Sequence, residues 1–153
     1  MEVIRQDKLF KVLACISLLL RLITYDYQPT VPNQLSAQAK ASPRLRMAYD
    51  LRNSAEDNSQ RMLNTIELGT EIPIHRHCDS SETIICVRGH FQECLYDDNG
   101  NLTEVIDMLP GCVIVKVPIG QRHSLKSLES GTVLLEAKDG KWDAMKEEDI
   151  WKL

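Results

Sequence analysis

Histidine occurs only at positions 75, 77, 90 and 123, and three of these four fall where they can share a metal ion. In the run Ile72-Pro73-Ile74-His75-Arg76-His77 an extended backbone alternates its side chains, so His75 and His77 point to one side about 7 Å apart along the chain. The stretch Cys78-Asp79-Ser80-Ser81 is rich in turn residues and can bring Glu82 back beside the two imidazoles. His123 follows Pro118-Ile119-Gly120-Gln121-Arg122, another tight turn, on a later strand that can face the first pair across a sandwich interior. Three imidazoles and a carboxylate form a ligand set for one divalent transition metal: Zn, Fe, Mn, Ni, Co or Cu. Four ligands complete a tetrahedral zinc site, whereas an octahedral ion would keep two positions for substrate, and the residue types leave both open.

Other reactive side chains lie around this set. Glu136 and Lys138 alternate on one strand and share a face, which makes Glu136 a candidate acid or base and Lys138 a candidate substrate contact. Arg44, Arg46, Arg52 and Arg61 precede or begin the β-rich region, and Arg88 has the parity of Glu82. A guanidinium near the mouth of a metal pocket can grip a carboxylate, phosphate or pyrophosphate in bidentate fashion. Arg61 and Arg88 are the preferred substrate-binding candidates because they lie on strands. His90, just past Gly89, reads as an ordinary strand residue. Cys78 should point away from the pocket, and Cys86 reads as an apolar filler.

These residues need a β scaffold to converge. Short β-like runs separated by turn signals cover about 61–68, 72–77, 82–88, 90–96, 102–108, 112–117, 122–128 and 132–138, the pattern of a sandwich or barrel. Asp97-Asp98-Asn99-Gly100, Pro110-Gly111 and Ser130-Gly131 are the clearest turns. Upstream, residues 33–41 between Pro32 and Pro43 read as a short helix. The apolar run from Val12 to Leu20 is too short for a bilayer span of about 20 residues. It fits a helix over about 7–24 within an extension, 1–29, that precedes the domain at 30–153.

The whole chain, 153 residues with 43% apolar, is one domain's worth of globular composition. A formal charge of -4 and 5% aromatic content exclude an electrostatic nucleic-acid binder. Five cysteines without a C-x-x-C pair indicate no disulfide framework, so a reducing, cytoplasmic compartment is expected.

Gly69, His75, His77, Glu82 and Gly89 stand at the spacings of the first cupin motif, which this segment resembles. With this chain's own residue frequencies, chance would place that motif with a probability on the order of 10⁻⁵. Gly111, Pro118, Gly120 and His123 resemble the second motif, with one extra residue before Pro118 and Ser127 where the family often has Asn. Ala41-Ser42-Pro43-Arg44-x-Arg46, Gln60-Arg61-Met62-Leu63-Asn64, the His-Arg-His core and Glu136-Ala137-Lys138-Asp139-Gly140-Lys141-Trp142 together are similar to the WbuC family of cupin-fold metalloproteins. That family is found among proteins of surface-polysaccharide (O-antigen type) biosynthesis. The resemblance implies an all-β antiparallel jelly-roll barrel and a divalent metal held by His75, His77, Glu82 and His123.

The functional expectation is a metal-binding cupin for a small polar ligand, a sugar or sugar derivative, with the metal as Lewis acid. An isomerase, epimerase or other carbohydrate-modifying enzyme is one outcome. A ligand-binding or sensor module is another, and an iron-dependent dioxygenase a third. Sheet edges and apolar surface of such barrels make a homodimer a further expectation.

Overall fold

The computed structural model describes residues 30–152, so the extension 1–29 and its helix over 7–24 lie outside the described residues. Helix α1, Thr30–Ala41, begins earlier than the expected residue 33 because Pro32 is tolerated in a first turn, where its missing N–H has no intrahelical acceptor. Pro43 ends it by disfavouring helical geometry at Ser42. Leu35 and Ala39, four residues apart on one face, are buried.

Eight antiparallel strands follow: β1 Arg46–Asp50, β2 Ser59–Ile66, β3 Glu82–Arg88, β4 Phe91–Tyr96, β5 Leu102–Met108, β6 Ile114–Val117, β7 Arg122–Ser127 and β8 Thr132–Asp139. They form a five-stranded sheet in the order β1-β2-β8-β3-β6 and a three-stranded sheet in the order β5-β4-β7. The expected all-β antiparallel jelly roll is the observed architecture. Alternation does the sorting on β3, where Glu82, Ile84 and Cys86 turn inward. Ile66, Ile84, Phe91, Met108, Val117 and Leu134 make the core between the sheets.

Two segments depart from the sequence reading. β1 was not anticipated, since its residues are half to fully exposed and carry no inward apolar alternation; pairing with β2 alone defines it. Residues 72–77 are not a regular strand. Pro73 has no N–H for a ladder, and only His75 makes β-bridges, to His123 on one side and Ile150 on the other.

That second bridge belongs to a C-terminal strap. After a 3-10 turn at Glu147–Asp149, the Asp149 carbonyl accepts from Arg76 N–H at 3.2 Å, and Trp151 N–H donates to Ile74 at 2.8 Å. The Trp151 ring lies against Gly100 in the β4–β5 turn, where an added Cβ would come within 2.5 Å of the indole. Arg122 sits over the same ring at 5.1 Å. No helix among the described residues is long and apolar enough to cross a membrane.

Candidate metal centre

The strap and β7 hold the His75 backbone from both sides. His75 N–H donates to the His123 carbonyl at 3.0 Å and His123 N–H returns to the His75 carbonyl at 2.8 Å, which brings two imidazoles from distant sequence into register. Gly120 N–H donates to the His77 carbonyl at 2.8 Å, so the turn before β7 also fixes the second histidine. Glu82 opens β3 between Val117 of β6 and Lys138 of β8. Ring centroids of His75 lie 5.1 Å from His77 and 4.3 Å from His123. One ligand atom from each of His75, His77, Glu82 and His123 falls within 4.8 Å of the others.

Backbone carbonyls select the tautomers. His75 Nδ1–H donates to Pro73 at 2.9 Å, and His123 Nδ1 lies 3.3 Å from the Gln121 carbonyl, which leaves each Nε2 lone pair for the centre. Lys138 donates to His77 Nε2 at 3.3 Å, consistent with a lone pair there as well. Burial, reinforced by His123, lowers His75 to about 3, so its ring is a neutral donor at physiological pH. Glu82 Oε2 lies 3.2 Å from His123 Nε2 and 3.4 Å from His77 Nε2, yet it is buried without a hydrogen-bond partner among the described residues. Three imidazole nitrogens and a stranded carboxylate oxygen aimed at one point suit a divalent transition metal.

The cluster opens into a cavity of about 930 Å³. Glu136 and Lys138 line it, as their shared parity predicts. Their ion pair measures 2.8 Å, and Asn64 Nδ2 donates to Glu136 Oε2 at 2.7 Å. Burial, with the Glu82 charge beside it, pushes Glu136 up to about 8. Burial works against Lys138, but Glu136 and Glu82 overcome it and raise its ammonium.

Arg61 and Arg88 require correction as substrate contacts, because neither lines the cavity. Gln60, Met62, Asn64 and Ile66 of β2 face it, so Arg61, of opposite parity, turns outward to Asp57 at 2.7 Å. A register shift between Cys86 and Arg88 breaks the alternation that ties Arg88 to Glu82. Arg88 instead braces the helix, donating to Asn33 Oδ1 at 2.8 Å and to the Gly131 carbonyl at 3.0 Å.

Arg44 and Arg46, set behind the strand arginines in the sequence reading, are the ones in the cavity wall. Asn64 was missed, although the inward run from Gln60 to Ile66 carries it. Cys78, expected to point away from the pocket, instead lines the cavity and donates its thiol to Asp149 Oδ1 at 3.2 Å, and His90 pairs with Asp107 at 3.0 Å on the outer surface.

A family model described as "Domain of unknown function (DUF6016)" matches residues 28–108. No curated protein sequence matches the chain. Among solved structures, KdgF from Halomonas sp. is 16% identical with a TM-score of 0.54, over 67% of this chain and 85% of that one. Oxalate decarboxylase from Bacillus subtilis is 20% identical with a TM-score of 0.52, over 71% of this chain and 28% of that one, and a further structure of it concerns its Mn(II) centres. The capsular polysaccharide assembling protein CapF from Staphylococcus aureus is 18% identical with a TM-score of 0.55, over 73% and 32%. This chain thus spans under a third of the latter two. These likenesses establish the cupin fold.

Proposed function

Because the chain belongs to the family described as "Domain of unknown function (DUF6016)", which assigns no activity, we propose a function from the site itself: a divalent-metal cupin of WbuC type that binds or modifies a sugar or sugar derivative. The observation that carries this is the buried, partnerless Glu82 oxygen facing three histidine nitrogens at the floor of a ligand-sized cavity. His75, His77, Glu82 and His123 would hold the ion, which when bound supplies Lewis-acid polarisation of a carbonyl or hydroxyl.

The chain's own residues supply the rest. Glu136 presents a carboxyl oriented by Asn64 and Lys138, a group able to take or give a proton at its Oε atoms. Met62, Ile72 and Leu125 form apolar wall, and Trp142 adds an indole for the C–H face of a sugar ring. The likeness in fold to the capsular polysaccharide assembling protein CapF supports a carbohydrate reading by analogy. Surface-polysaccharide assembly is the proposed setting and the cytoplasm the proposed compartment, the latter resting on cysteines that are all free among the described residues.

Calorimetric titration of glucose and a nucleotide sugar into metal-loaded and metal-stripped protein tests this. Binding that requires the metal is expected. Binding unchanged by stripping, or no binding of either sugar, would overturn the carbohydrate-metal reading.

A further inference from the structure

We propose that Arg44 and Arg46 form a guanidinium clamp for an anionic group, carboxylate or phosphate, on the ligand whose other end faces the histidines. The clamp deepens the carbohydrate reading and rests on it only for the sugar part of that ligand. Both arginines line the same cavity as His75, His77 and Glu82. Between them sits Leu45 at φ 53, the one non-glycine residue with positive φ among the described residues. A left-handed backbone is disfavoured for leucine, so this residue must be held by its surroundings. Three hydrogen bonds hold it: Leu45 N–H to the Ser42 carbonyl at 2.9 Å, and the Leu45 carbonyl accepting Glu67 N–H at 2.9 Å and Thr70 Oγ1 at 2.6 Å. The strained residue turns the chain out of α1 into β1 with a guanidinium on each side of it.

The charges of these two residues are not neutralised within the described residues. Arg46 Nη1 reaches only the Glu71 carbonyl, at 3.3 Å, and Arg44 makes no ion pair. Other basic residues of the cavity wall do have carboxylate partners: Arg76 with Asp149 at 3.2 Å, Lys138 with Glu136 at 2.8 Å, Lys141 with Glu56 at 2.6 Å. Burial and the neighbouring Arg44 charge both act against the charged form of Arg46. An oxyanion between two such groups relieves their repulsion and takes the bidentate hydrogen bonds that guanidinium geometry offers. The ligand class is therefore an acidic or phosphorylated sugar rather than a neutral one.

The test uses the metal-loaded full chain and an Arg44→Gln/Arg46→Gln variant, with calorimetry and tryptophan fluorescence, from Trp142 in the cavity wall and Trp151, as readouts. Probes are inorganic phosphate, acetate, glucose, glucuronate and glucose 1-phosphate. Unchanged metal content and unfolding midpoint will show that the variant is intact. The clamp predicts that charged probes bind the native chain and lose at least about tenfold in affinity in the variant, while any glucose binding is unaffected. Comparing glucuronate with glucose 1-phosphate tells carboxylate from phosphate. Loss of phosphate affinity in the variant without binding of any sugar upholds the clamp and removes the carbohydrate reading. Charged probes that bind both proteins equally, or bind neither, overturn the clamp, whether or not glucose binds.

Discussion

Two glutamates, one half-buried in the cavity wall and one fully buried, show how position decides what a carboxyl does in this barrel. Glu136 has donors on both oxygens and lies in the cavity wall. Glu136→Gln should keep the metal and the fold but lower any proton exchange at bound sugar by about 100-fold, followed by deuterium incorporation in NMR; unchanged exchange would remove Glu136 from the chemistry. Glu93 is fully buried on β4, between Leu125 and Ile106 in register, and neither of its oxygens finds a hydrogen bond among the described residues. Burial first, and then the charges of Glu82 and Glu136, raise it to about 9. Its folded pKa lies above the unfolded value near ~4.3, so no stability is lost below that pH, and stability falls as pH rises from there towards 9. Glu93→Gln should therefore stabilise the fold by about 1–3 kcal/mol at pH 8, with the gain shrinking as pH nears 5. Denaturant titrations at the two pH values check this, and an equal gain at both, or a loss at pH 8, would contradict the assignment of a neutral buried acid.

At the scale of elements, the strap is what converts an irregular segment, residues 72–77, into a fixed platform for His75. Gly100 and Gly111 both have positive φ, at 76° and 73°, but only Gly100 has a neighbour, the Trp151 ring. Gly111→Ala should cost about 1 kcal/mol from backbone strain alone, and Gly100→Ala clearly more because the ring must move as well. Equal costs in thermal unfolding would mean the strap does not pack there. The strap itself carried no sequence signal, since Ile150 and Trp151 follow a polar stretch and their partner segment is broken by Pro73. Most strands were legible because apolar alternation and glycine turns bound them, and β3 and β5 keep their expected ends. Parity reasoning succeeded wherever the ladder is regular, as for Glu136 and Lys138, and failed at Arg88, where a bulge invisible in composition intervenes. The ligand set was legible for a different reason: histidine is rare in this chain, and the three histidines and Glu82 stand at fixed motif spacings. Arg44 and Arg46 were legible as anion-binding candidates and motif residues, but their place in the cavity wall was not, because it depends on one left-handed leucine.

For the molecule as a whole, the four candidate ligands come together within the described residues, on the two sheets and the segment that the strap holds. We propose that residues 30–153 are the cupin domain and 1–29 a separate extension; deleting 1–29 should leave the unfolding midpoint and metal content unchanged, and loss of either would place the extension within the fold. The central claim is that this barrel exists around a metal. Elemental analysis of protein purified without chelator or nickel resin, beside His123→Ala and His90→Ala variants, tests it most directly. The account predicts about one transition metal ion per chain in the native protein and in His90→Ala, and essentially none in His123→Ala. A native protein that takes up no metal even on reconstitution, or equal metal in all three, would contradict it.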